Sequence, residues 1–499
     1  MRHAPRTLLL LPPEQSSTKL DTHASFFLLK LLSQIQLPCV LVSFSPTFRV
    51  SDFATSLFGQ FLDHAWTMII LFNEQAKLTV LHSLALPFLI NTWVSGNISQ
   101  AVLTTTTWRW GIGMWAIIYP VSAIPLLFAL WNASRKARKS GALNNYTTPF
   151  RQLGFVKLLT ELFWQLDVIG IFLMIAVFAL ILVPFTLAGG VSSKWRDAST
   201  IAPLVIGLLL VPVFVFWQRK APHPLVPFYL LKDRGVWGAL GIACFLNFAW
   251  YLQGGFLYTV MIIAFDFSYT SATRISSFYS FFSVITGLLI SLVIFKVRRL
   301  KYFIVAGTCL FMVAFGLLIN YRGGTSGSAK SGVIGAQVLL GIAGGLFPYP
   351  AQASIQAATQ HEHVAVITGL YLALYSIGSA LGNCVSGIIW SQTLFPTLER
   401  NLAFTSNSTL AATFYGSPLT VVFEYPVGTP ERDAIIASYQ HVQRLLCITG
   451  ICLCVPLIFF AMMLRNPHLS TEQSQPEAEQ GHVVYKEQGR QGEGEQVVR

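Results

Sequence analysis

The chain has 499 residues, of which 54% are apolar and only 11% are charged, and its formal net charge is +12. A soluble protein carries about 25% charged residues, so this composition excludes an ordinary soluble domain and favours a polytopic α-helical membrane protein. The positive charge does not indicate a nucleic-acid partner, because the basic residues form short clusters between apolar segments, as they do in the loops of membrane proteins.

Residues 1–76 have the weakest pattern in the chain. The segment Phe26–Phe44 is apolar, but Lys30 and Pro38 interrupt it. The polar residues that precede it are atypical of a signal peptide, so it is either a weak span or a signal-like segment. The run Ala65–Phe72 is too short to cross a bilayer alone, since crossing needs about 20 apolar residues. We therefore treat 1–76 as an atypical N-terminal segment.

From Lys77 onwards, long apolar segments recur at regular intervals. Each is close to the length of a helix that crosses a bilayer, about 20 residues. The sequence thus predicts an all-α fold with about ten transmembrane helices. These are expected at residues 77–96, 110–131, 167–188, 199–217, 236–258, 273–295, 302–320, 333–357, 364–390 and 445–464.

Clusters of basic residues predict the orientation of these spans. Residues 135–139, 219–234 and 296–301 contain such clusters and follow the second, fourth and sixth predicted spans. In an alternating count all three lie on one side of the membrane, and the positive-inside rule makes that side cytoplasmic. The tail 466–499 is rich in Glu, Gln and Gly, so it is predicted to be disordered and cytoplasmic.

The eighth and ninth predicted spans differ from simple lipid-facing helices. Pro348 and Pro350 interrupt the eighth span, which a membrane helix tolerates where neighbours or a cavity satisfy the freed backbone groups. Gly378 and Gly382 of the ninth span are four residues apart, a spacing that lets helices approach closely. Tight helix packing and a polar path through the bundle both fit this pattern.

Polar and aromatic side chains in these spans are the candidates for a substrate path. Tyr349, Gln352 and Gln356 are expected on one face of a helix, because residues four apart lie one above the other. Amide and aromatic groups suit a bulky ligand that is rich in hydrogen-bonding atoms, although the aromatic residues also suit a membrane-interface belt. The other candidates are Asn247, Trp250, Tyr251 and Gln253 in the fifth predicted span and Tyr371, Tyr375 and Asn383 in the ninth.

The longest polar connection is predicted at residues 391–443, on the non-cytoplasmic side. It contains the glycosylation sequon at Asn407 and the aromatic residues Phe423, Tyr425 and Tyr439. Long loops often have a function, and here the alternative is a solvated loop with its own aromatic cluster.

The sequence contains no catalytic constellation. His361-Glu362-His363 fits a polar cap between two helices better than a metal site, and there is no phosphate-binding loop of the kind that ATP-driven pumps use. The sequence therefore predicts no enzymatic activity, no cofactor and no metal site. Proton coupling normally uses an ionisable group within the membrane, and the two candidates are Asp167 and Asp266. Their alternative roles are a charged helix N-terminus for Asp167 and an interfacial loop acid for Asp266.

Several stretches of the sequence resemble one transporter family. GIAGGLFPYPAQASIQAATQHEHVAVITGLYLALYSIGSALGNCVSGIIWSQTL, in the eighth and ninth predicted spans, is similar to the penultimate region of the fungal siderophore–iron transporters. The similarity continues in VVFEYPVGTPERDAIIASYQHVQRLLCITG and in TTWRWGIGMWAIIYPVSAIPL, and it covers about residues 84–470. These are fourteen-span, proton-coupled members of the major facilitator superfamily, and glutathione–proton exchangers share much of the pattern.

The resemblance implies a domain organisation of the major facilitator type. Residues 77–131 would be the remnant of an N-terminal helix bundle, 132–166 a cytoplasmic loop, 167–217 two linker helices and 236–464 a C-terminal six-helix bundle. Nothing in 1–76 resembles the first four spans of the family, so the sequence predicts a truncated member.

The resemblance also implies a function. We expect a secondary active transporter that takes up ferric siderophores by proton symport, with glutathione–proton exchange, drug efflux or a truncated remnant without transport as alternatives. The expected partners are an iron chelate, protons and the lipid bilayer, with no nucleic acid. The expected location is the plasma membrane or endosomal vesicles, and the 391–443 connection would shape the outer face of the substrate path.

The orientation can be tested with tags placed in the basic clusters at 135–139 and 296–301. We expect both tags to be reached only after the cells are permeabilised, because the positive-inside rule puts both clusters in the cytoplasm. Antibody labelling of intact and permeabilised cells measures this. Two tags on opposite membrane faces would contradict the predicted order of spans.

Overall fold

Helices form all the regular secondary structure of the part of the chain that the structure describes. This computed structural model describes residues 87–105, 108–139, 149–188, 195–225, 231, 233–357, 364–405 and 409–466. No strand occurs within these ranges, which confirms the predicted all-α class.

The helices are numbered here in chain order. Those before residue 264 are α1 Pro87–Thr105, α2 Trp108–Gly113, α3 Trp115–Lys139, α4 Pro149–Gln165, α5 Val168–Ala188, α6 Ala198–Lys220, α7 Arg234–Gly254 and α8 Leu257–Ile263. Those after it are α9 Tyr269–Val297, α10 Lys301–Asn320, α11 Gly327–Leu346, α12 Pro348–Ala357, α13 Val364–Asn401, α14 Leu410–Gly416, α15 Pro418–Val421 and α16 Pro430–Met463, with a 3₁₀ turn at Val422–Glu424 between the last two.

Eight helical segments in the described ranges are long and apolar enough to cross a membrane. They are α5, α6, α7 with α8, α9, α10, α11 with α12, α13 and α16, and they correspond to the third to tenth predicted spans. The first predicted span overlaps α1, although its residues 77–86 lie outside the described ranges, and the second overlaps α2 and α3. The chain is a multi-pass membrane protein.

The described residues divide into two units. The first contains Arg109–Ile175 and Val213–Leu225, and so includes α3, α4, the start of α5 and the end of α6. The connection predicted at 132–166 is therefore largely helical in the structure, because α3 continues to Lys139 and α4 follows from Pro149. A kink divides α4 at Gly154, whose φ of 71° is in the left-handed region that glycine tolerates.

The second unit contains α1, the remaining parts of α5 and α6, and the helices from α7 to α16. Helix α7 packs against α13 and α16, α9 packs against α11 and α1, and α10 packs against α11 and α16. In the most apolar stretch of α7 with α8, 67% of the residues are buried, compared with 11% in α6. The segment α7 with α8 is thus a central element of its unit, whereas α6 exposes an apolar surface that suits contact with lipid.

Glycines allow two of these helix pairs to approach closely. A Cβ atom on Gly345 of α11 would come within 2.6 Å of the Ser283 carbonyl oxygen on α9, and one on Gly378 of α13 would overlap the Cys244 carbonyl group on α7. The predicted close packing around Gly378 and Gly382 is therefore confirmed, since Gly382 also abuts the α7 backbone, at Phe248.

The connection predicted at 391–443 is shorter than expected. Helix α13 continues to Asn401 and α16 begins at Pro430, fifteen residues before the span predicted at 445–464. The start of α16 has strong helix signals: the Thr429 side chain accepts a hydrogen bond from the Arg432 N–H, Pro430 occupies the first turn, and Glu431 is one of two acidic residues there. The sequence analysis did not predict the beginning of this helix, because its first turn is polar and the spans were assigned from apolar length.

Alanine substitution of Gly345 should destabilise the second unit. The added methyl group would overlap backbone atoms of α9, and overpacking of this kind costs about 1–3 kcal/mol. The control is Gly335→Ala on the same helix, where no atom lies within 4 Å of the added carbon and the higher helix propensity of alanine should make the change neutral or favourable. Thermal unfolding in detergent measures both variants, and equal melting temperatures would contradict the close approach of α9 and α11.

Candidate functional site

A pair of glutamines lies in the interior of the second unit. The Gln337 Nε2 atom on α11 donates a hydrogen bond of 3.0 Å to the Gln253 Oε1 atom on α7, and both side chains are buried. A hydrogen bond between helices satisfies two polar groups that lipid cannot solvate. This pair therefore connects the two helices in the middle of a candidate membrane bundle.

Three buried polar side-chain atoms on α7, α11 and α12 have no hydrogen-bond partner among the described residues. They are the Gln337 Oε1, Gln352 Nε2 and Trp250 Nε1 atoms. Leaving a buried polar group without a partner costs about 1–3 kcal/mol, and native structures seldom contain many such groups. Two donors and one acceptor on α7, α11 and α12 therefore have unused hydrogen-bonding capacity.

Tyrosines gather beside these atoms. The Tyr279 ring on α9 lies 5.5 Å from the Trp250 ring, which also contacts the Tyr251 ring at 4.7 Å. Tyr349 and Tyr371 lie within electrostatic range of Tyr279. We call the whole group the glutamine–tyrosine site; it comprises Trp250, Tyr251, Gln253, Tyr279, Gln337, Tyr349, Gln352 and Tyr371.

The break between α11 and α12 shapes this site. Neither Pro348 nor Pro350 has a backbone N–H, and the helix is interrupted at Phe347, as the sequence predicted. The Tyr371 hydroxyl of α13 donates a hydrogen bond of 2.9 Å to the Pro348 carbonyl oxygen. The bond gives the Tyr371 hydroxyl a partner on another helix, and it holds Tyr371 against the first residue of α12.

Other predicted path residues are engaged in packing. The Asn247 Nδ2 atom donates to the Tyr375 carbonyl oxygen and the Ser379 hydroxyl, both at 2.8 Å, and so joins α7 to α13. The Gln356 Nε2 atom donates to the Thr368 hydroxyl at 2.9 Å. Asn383 lies next to Gly255, at the break between α7 and α8, and its side chain is exposed. Their predicted role in a substrate path remains a prediction.

Asp167 lies outside this site, in the first unit. Its buried carboxylate accepts hydrogen bonds from the Gly170 backbone N–H at 3.0 Å, the Trp217 Nε1 atom at 2.7 Å and the Gln218 Nε2 atom at 2.5 Å. Asp167 has a φ of 43° and separates α4 from α5, whereas Trp217 and Gln218 belong to the end of α6. The arrangement fastens the α6 terminus to the α5 N-terminus, the favourable end of a helix for a carboxylate.

Asp266 lies in the turn between α8 and α9, with a φ of 56°. Its side chain is half exposed and pairs at 3.5 Å with Arg432 of α16. Lys330 contacts the same turn, through a hydrogen bond of 3.4 Å to the Asp266 carbonyl oxygen. This placement at a helix connection agrees with the alternative role as a loop acid.

The aromatic residues predicted for the long outer connection separate in the structure. Phe423 is exposed, and the Tyr425 ring contacts the Phe414 ring at 5.6 Å. Tyr439 does not belong to a loop: it is a buried residue of α16 whose ring contacts the Trp390 ring at 5.5 Å. The prediction for Tyr439 was wrong because α16 begins before the apolar stretch that identified it.

Three residues that the sequence analysis did not name are prominent in the structure. Gln337 and Tyr279 belong to the glutamine–tyrosine site, and Arg432 is the largest of the fully buried side chains in the described ranges. A lone glutamine within an apolar span was the available signal for Gln337. For Arg432 there was none, because an arginine in the first turn of a helix usually faces solvent.

Four predictions lie outside the described residues. They are the glycosylation sequon at Asn407, the His361-Glu362-His363 cap, the atypical N-terminal segment 1–76 and, beyond residue 466, the disordered tail. Within the described ranges, no group of three or more His, Cys, Asp or Glu side chains is arranged to hold a metal ion.

The geometry defines a class of protein: a multi-pass helical membrane protein with an uncharged, hydrogen-bonding site inside its larger unit. Comparison with known proteins then gives the family. The chain is 46% identical over 405 residues to Siderophore iron transporter 1 of Saccharomyces cerevisiae, a match that covers 80% of this chain and 63% of the yeast protein. It is 30% identical over 406 residues to MFS siderochrome iron transporter C of Aspergillus fumigatus, covering 80% of this chain and 66% of that protein.

The chain is therefore a homologue of the fungal siderophore iron transporters, which confirms the resemblance in its sequence. It spans 63% and 66% of the lengths of these two relatives. No family model matches the sequence. Among solved structures, a bacterial homologue of the human lysosomal transporter Spinster, in an inward-facing and occupied conformation, aligns with 91% of this chain and 97% of its own, at 14% identity and a TM-score of 0.37.

Replacing Asp167 by Asn tests whether this residue fastens α5 to α6 or carries protons. Asparagine has a single acceptor oxygen, so at least one of the three hydrogen bonds is lost, at a cost of about 1–3 kcal/mol. We expect a lower melting temperature and an unchanged pH dependence of any transport. The matched control is Glu161→Gln, an exposed acid on α4. Unchanged stability together with a lost pH dependence would instead support proton coupling at Asp167.

Proposed function

We propose that this protein is a secondary active transporter of ferric siderophores, with a fold of the major facilitator type. The observation that carries the proposal is the glutamine–tyrosine site, an uncharged cluster of buried donors and acceptors on several membrane helices. The names of the relatives support it: the yeast protein is a siderophore iron transporter and the Aspergillus protein an MFS siderochrome iron transporter.

The chemistry of the site suits a large neutral chelate. The iron arrives already coordinated, so recognition depends on the polar and aromatic atoms of the organic ligand. The free Gln352 Nε2 and Trp250 Nε1 atoms would donate to carbonyl or hydroxamate oxygens, and the Gln337 Oε1 atom would accept from an amide N–H. Tyrosine and tryptophan rings supply contact area, as in other small-molecule sites.

Alternating access provides the transport cycle in this proposal. Secondary transporters bind their substrate near the middle of the bilayer, often beside discontinuous helices, and move helix bundles around the site. The breaks at Gly255 and Phe347 lie in two helices that contribute to the glutamine–tyrosine site. Proton symport would supply the energy, with the plasma membrane or endosomal vesicles as the location.

Two alternatives to this proposal are glutathione exchange and the absence of transport. The charge of the substrate bears on the first of them. Glutathione is an anion at neutral pH, and an anion in a buried site needs a cation or several donors. The glutamine–tyrosine site contains no charged side chain, which favours the neutral chelate. A protein without transport activity is the second alternative, and an uptake assay distinguishes it from a transporter.

Uptake of radiolabelled iron by cells without their own siderophore carriers tests the proposal. Cells that express the full chain should accumulate ferric hydroxamate chelates, and collapse of the proton gradient should abolish uptake. Absence of uptake with every chelate would contradict the proposal. Release of glutathione linked to protons would then favour exchange.

The contribution of the site is tested by Gln352→Met, which keeps the volume and removes the polar atoms. We expect KM for the chelate to rise about tenfold, since a lost hydrogen bond of about 1.4 kcal/mol changes affinity by that factor. Stability should be unchanged or higher, because the substitution removes an unpartnered polar atom. The control is Gln392→Met, an exposed position on α13. An unchanged KM would remove Gln352 from the site.

A further inference from the structure

Helix α4 exposes large apolar side chains in the first unit. The exposed fraction is 74% for Val156, 66% for Phe155 and 60% for Leu159. The helix has 17 residues and a kink at Gly154, whereas crossing a bilayer takes about 20 residues in a continuous apolar helix. A transmembrane position therefore does not account for the exposed apolar side chains of α4.

Polar residues occupy the opposite side of α4. Lys157, Glu161 and Gln165 are spaced four residues apart and so share one side of the helix, where the Gln165 Nε2 atom donates to the Glu161 Oε1 atom at 3.4 Å. Phe155 and Leu159, also four apart, lie on the other side. All five side chains are exposed. An amphipathic helix with one apolar and one polar side is typical of helices that lie in the plane of a membrane interface.

The C-terminal end of α4 is attached directly to a membrane span. Helix α4 ends at Gln165, and the candidate span α5 begins at Val168. Between them, Asp167 has a φ of 43°, a left-handed conformation that a continuous α-helix does not contain. The chain therefore turns at the edge of the bilayer, and the end of α4 lies at the level of the lipid headgroups.

Basic side chains gather at the same membrane level. The last turn of α6 contains the exposed residues Arg219 and Lys220, and the two residues before them bond to Asp167 at the start of α5. Helix α3 ends in the basic cluster 135–139, whose arginine and lysine side chains are exposed. In the alternating count of spans, this end of α3 lies on the same side of the membrane as the end of α6. The unit thus has positive charge beside the start of α5.

Aromatic rings lie one turn before these basic residues. The Arg135 guanidinium carbon is 5.6 Å from the centre of the Trp131 ring, and the Lys220 Nζ atom is 4.6 Å from the centre of the Phe216 ring. Aromatic residues are enriched where a membrane helix leaves the hydrocarbon, and basic residues follow on the cytoplasmic side. Both pairs therefore agree with a headgroup-level position for the ends of α3 and α6.

We propose that α4 and the basic ends of α3 and α6 form a binding surface for the anionic phospholipid headgroups of the cytoplasmic leaflet. Helix α4 lies along the interface with Phe155 and Leu159 among the acyl chains. Lys157 and the basic clusters contact the headgroup phosphates, and each Lys or Arg near an anionic leaflet strengthens binding about fivefold. The inference goes beyond the proposed transport function and does not depend on the substrate that is carried.

Thiol accessibility in lipid nanodiscs with one full-length chain per disc tests this proposal. Leu159→Cys and Lys157→Cys place a thiol on the two sides of α4, and the unchanged chain gives the background from the native cysteines. In phosphatidylcholine with added phosphatidylserine, a charged, water-soluble thiol reagent should modify Leu159→Cys about tenfold more slowly than Lys157→Cys, because the apolar side is covered by lipid. In phosphatidylcholine alone the difference should fall to about twofold, since the basic residues have no anionic partner.

Paired substitutions test the basic residues. In phosphatidylserine discs, adding Arg138→Gln with Lys139→Gln should reduce the difference in rate about fivefold. The matched control is Lys296→Gln with Arg299→Gln, an exposed pair at the end of α9, which should leave it unchanged. High salt should act on the unsubstituted basic residues in the same direction, because it screens exposed charges. This last measurement replaces the first pair if those variants lose stability.

Two outcomes would overturn the inference. Equal reactivity of Leu159→Cys and Lys157→Cys in phosphatidylserine discs would mean that the apolar side of α4 lies in water. Equal protection in neutral and anionic discs would mean that acyl chains or another segment of the chain cover α4 without recognition of anionic headgroups. A second copy cannot provide the protection, because each disc holds one chain.

Discussion

The rest of the structure depends on one constraint: a polar group inside a membrane bundle must find its partner on another helix. The hydrogen bond between Gln253 and Gln337 satisfies this constraint between α7 and α11, and the bond from Tyr371 to the Pro348 carbonyl oxygen satisfies it at a broken helix. Elsewhere in the same unit, the glycine at position 345 lets the α9 and α11 backbones approach closely, so the unit uses both polar pairs and small residues to join its helices.

Most of the fold followed from local features of the sequence. Apolar length alone located eight of the spans, since a bilayer imposes a minimum length on any helix that crosses it. The break near Pro348 followed from the missing N–H of proline, and the close packing at Gly378 followed from its spacing to Gly382. Each of these predictions needed information from a few neighbouring residues only, which a single sequence contains.

The features that the sequence did not predict depend on contacts between residues far apart in the chain. Tyr439 was assigned to a loop because α16 begins with polar residues, and only the packing of its ring against Trp390 shows it to be interior. Arg432 is 170 residues away from Ile262, whose carbonyl oxygen it contacts. Gln337 was likewise an unremarked polar residue until the fold brought it to Gln253. Tertiary partners of this kind leave no local periodicity, so apolar pattern and spacing are insufficient to find them.

The two buried charged side chains of the described residues have different kinds of partner, and neither residue is a member of the glutamine–tyrosine site. Asp167 accepts hydrogen bonds from neutral N–H donors at the start of α5 and the end of α6, whereas Arg432 interacts with two carbonyl oxygens and one carboxylate. Ligand binding at an uncharged site changes no charge there. If protons drive the proposed transport, the proton and the chelate would therefore influence each other through the relative stability of two helix arrangements, which is the general form of coupling between separate sites. In such a transporter, ligands of different shapes could bind at the neutral site without any change in the residues that couple transport to protons.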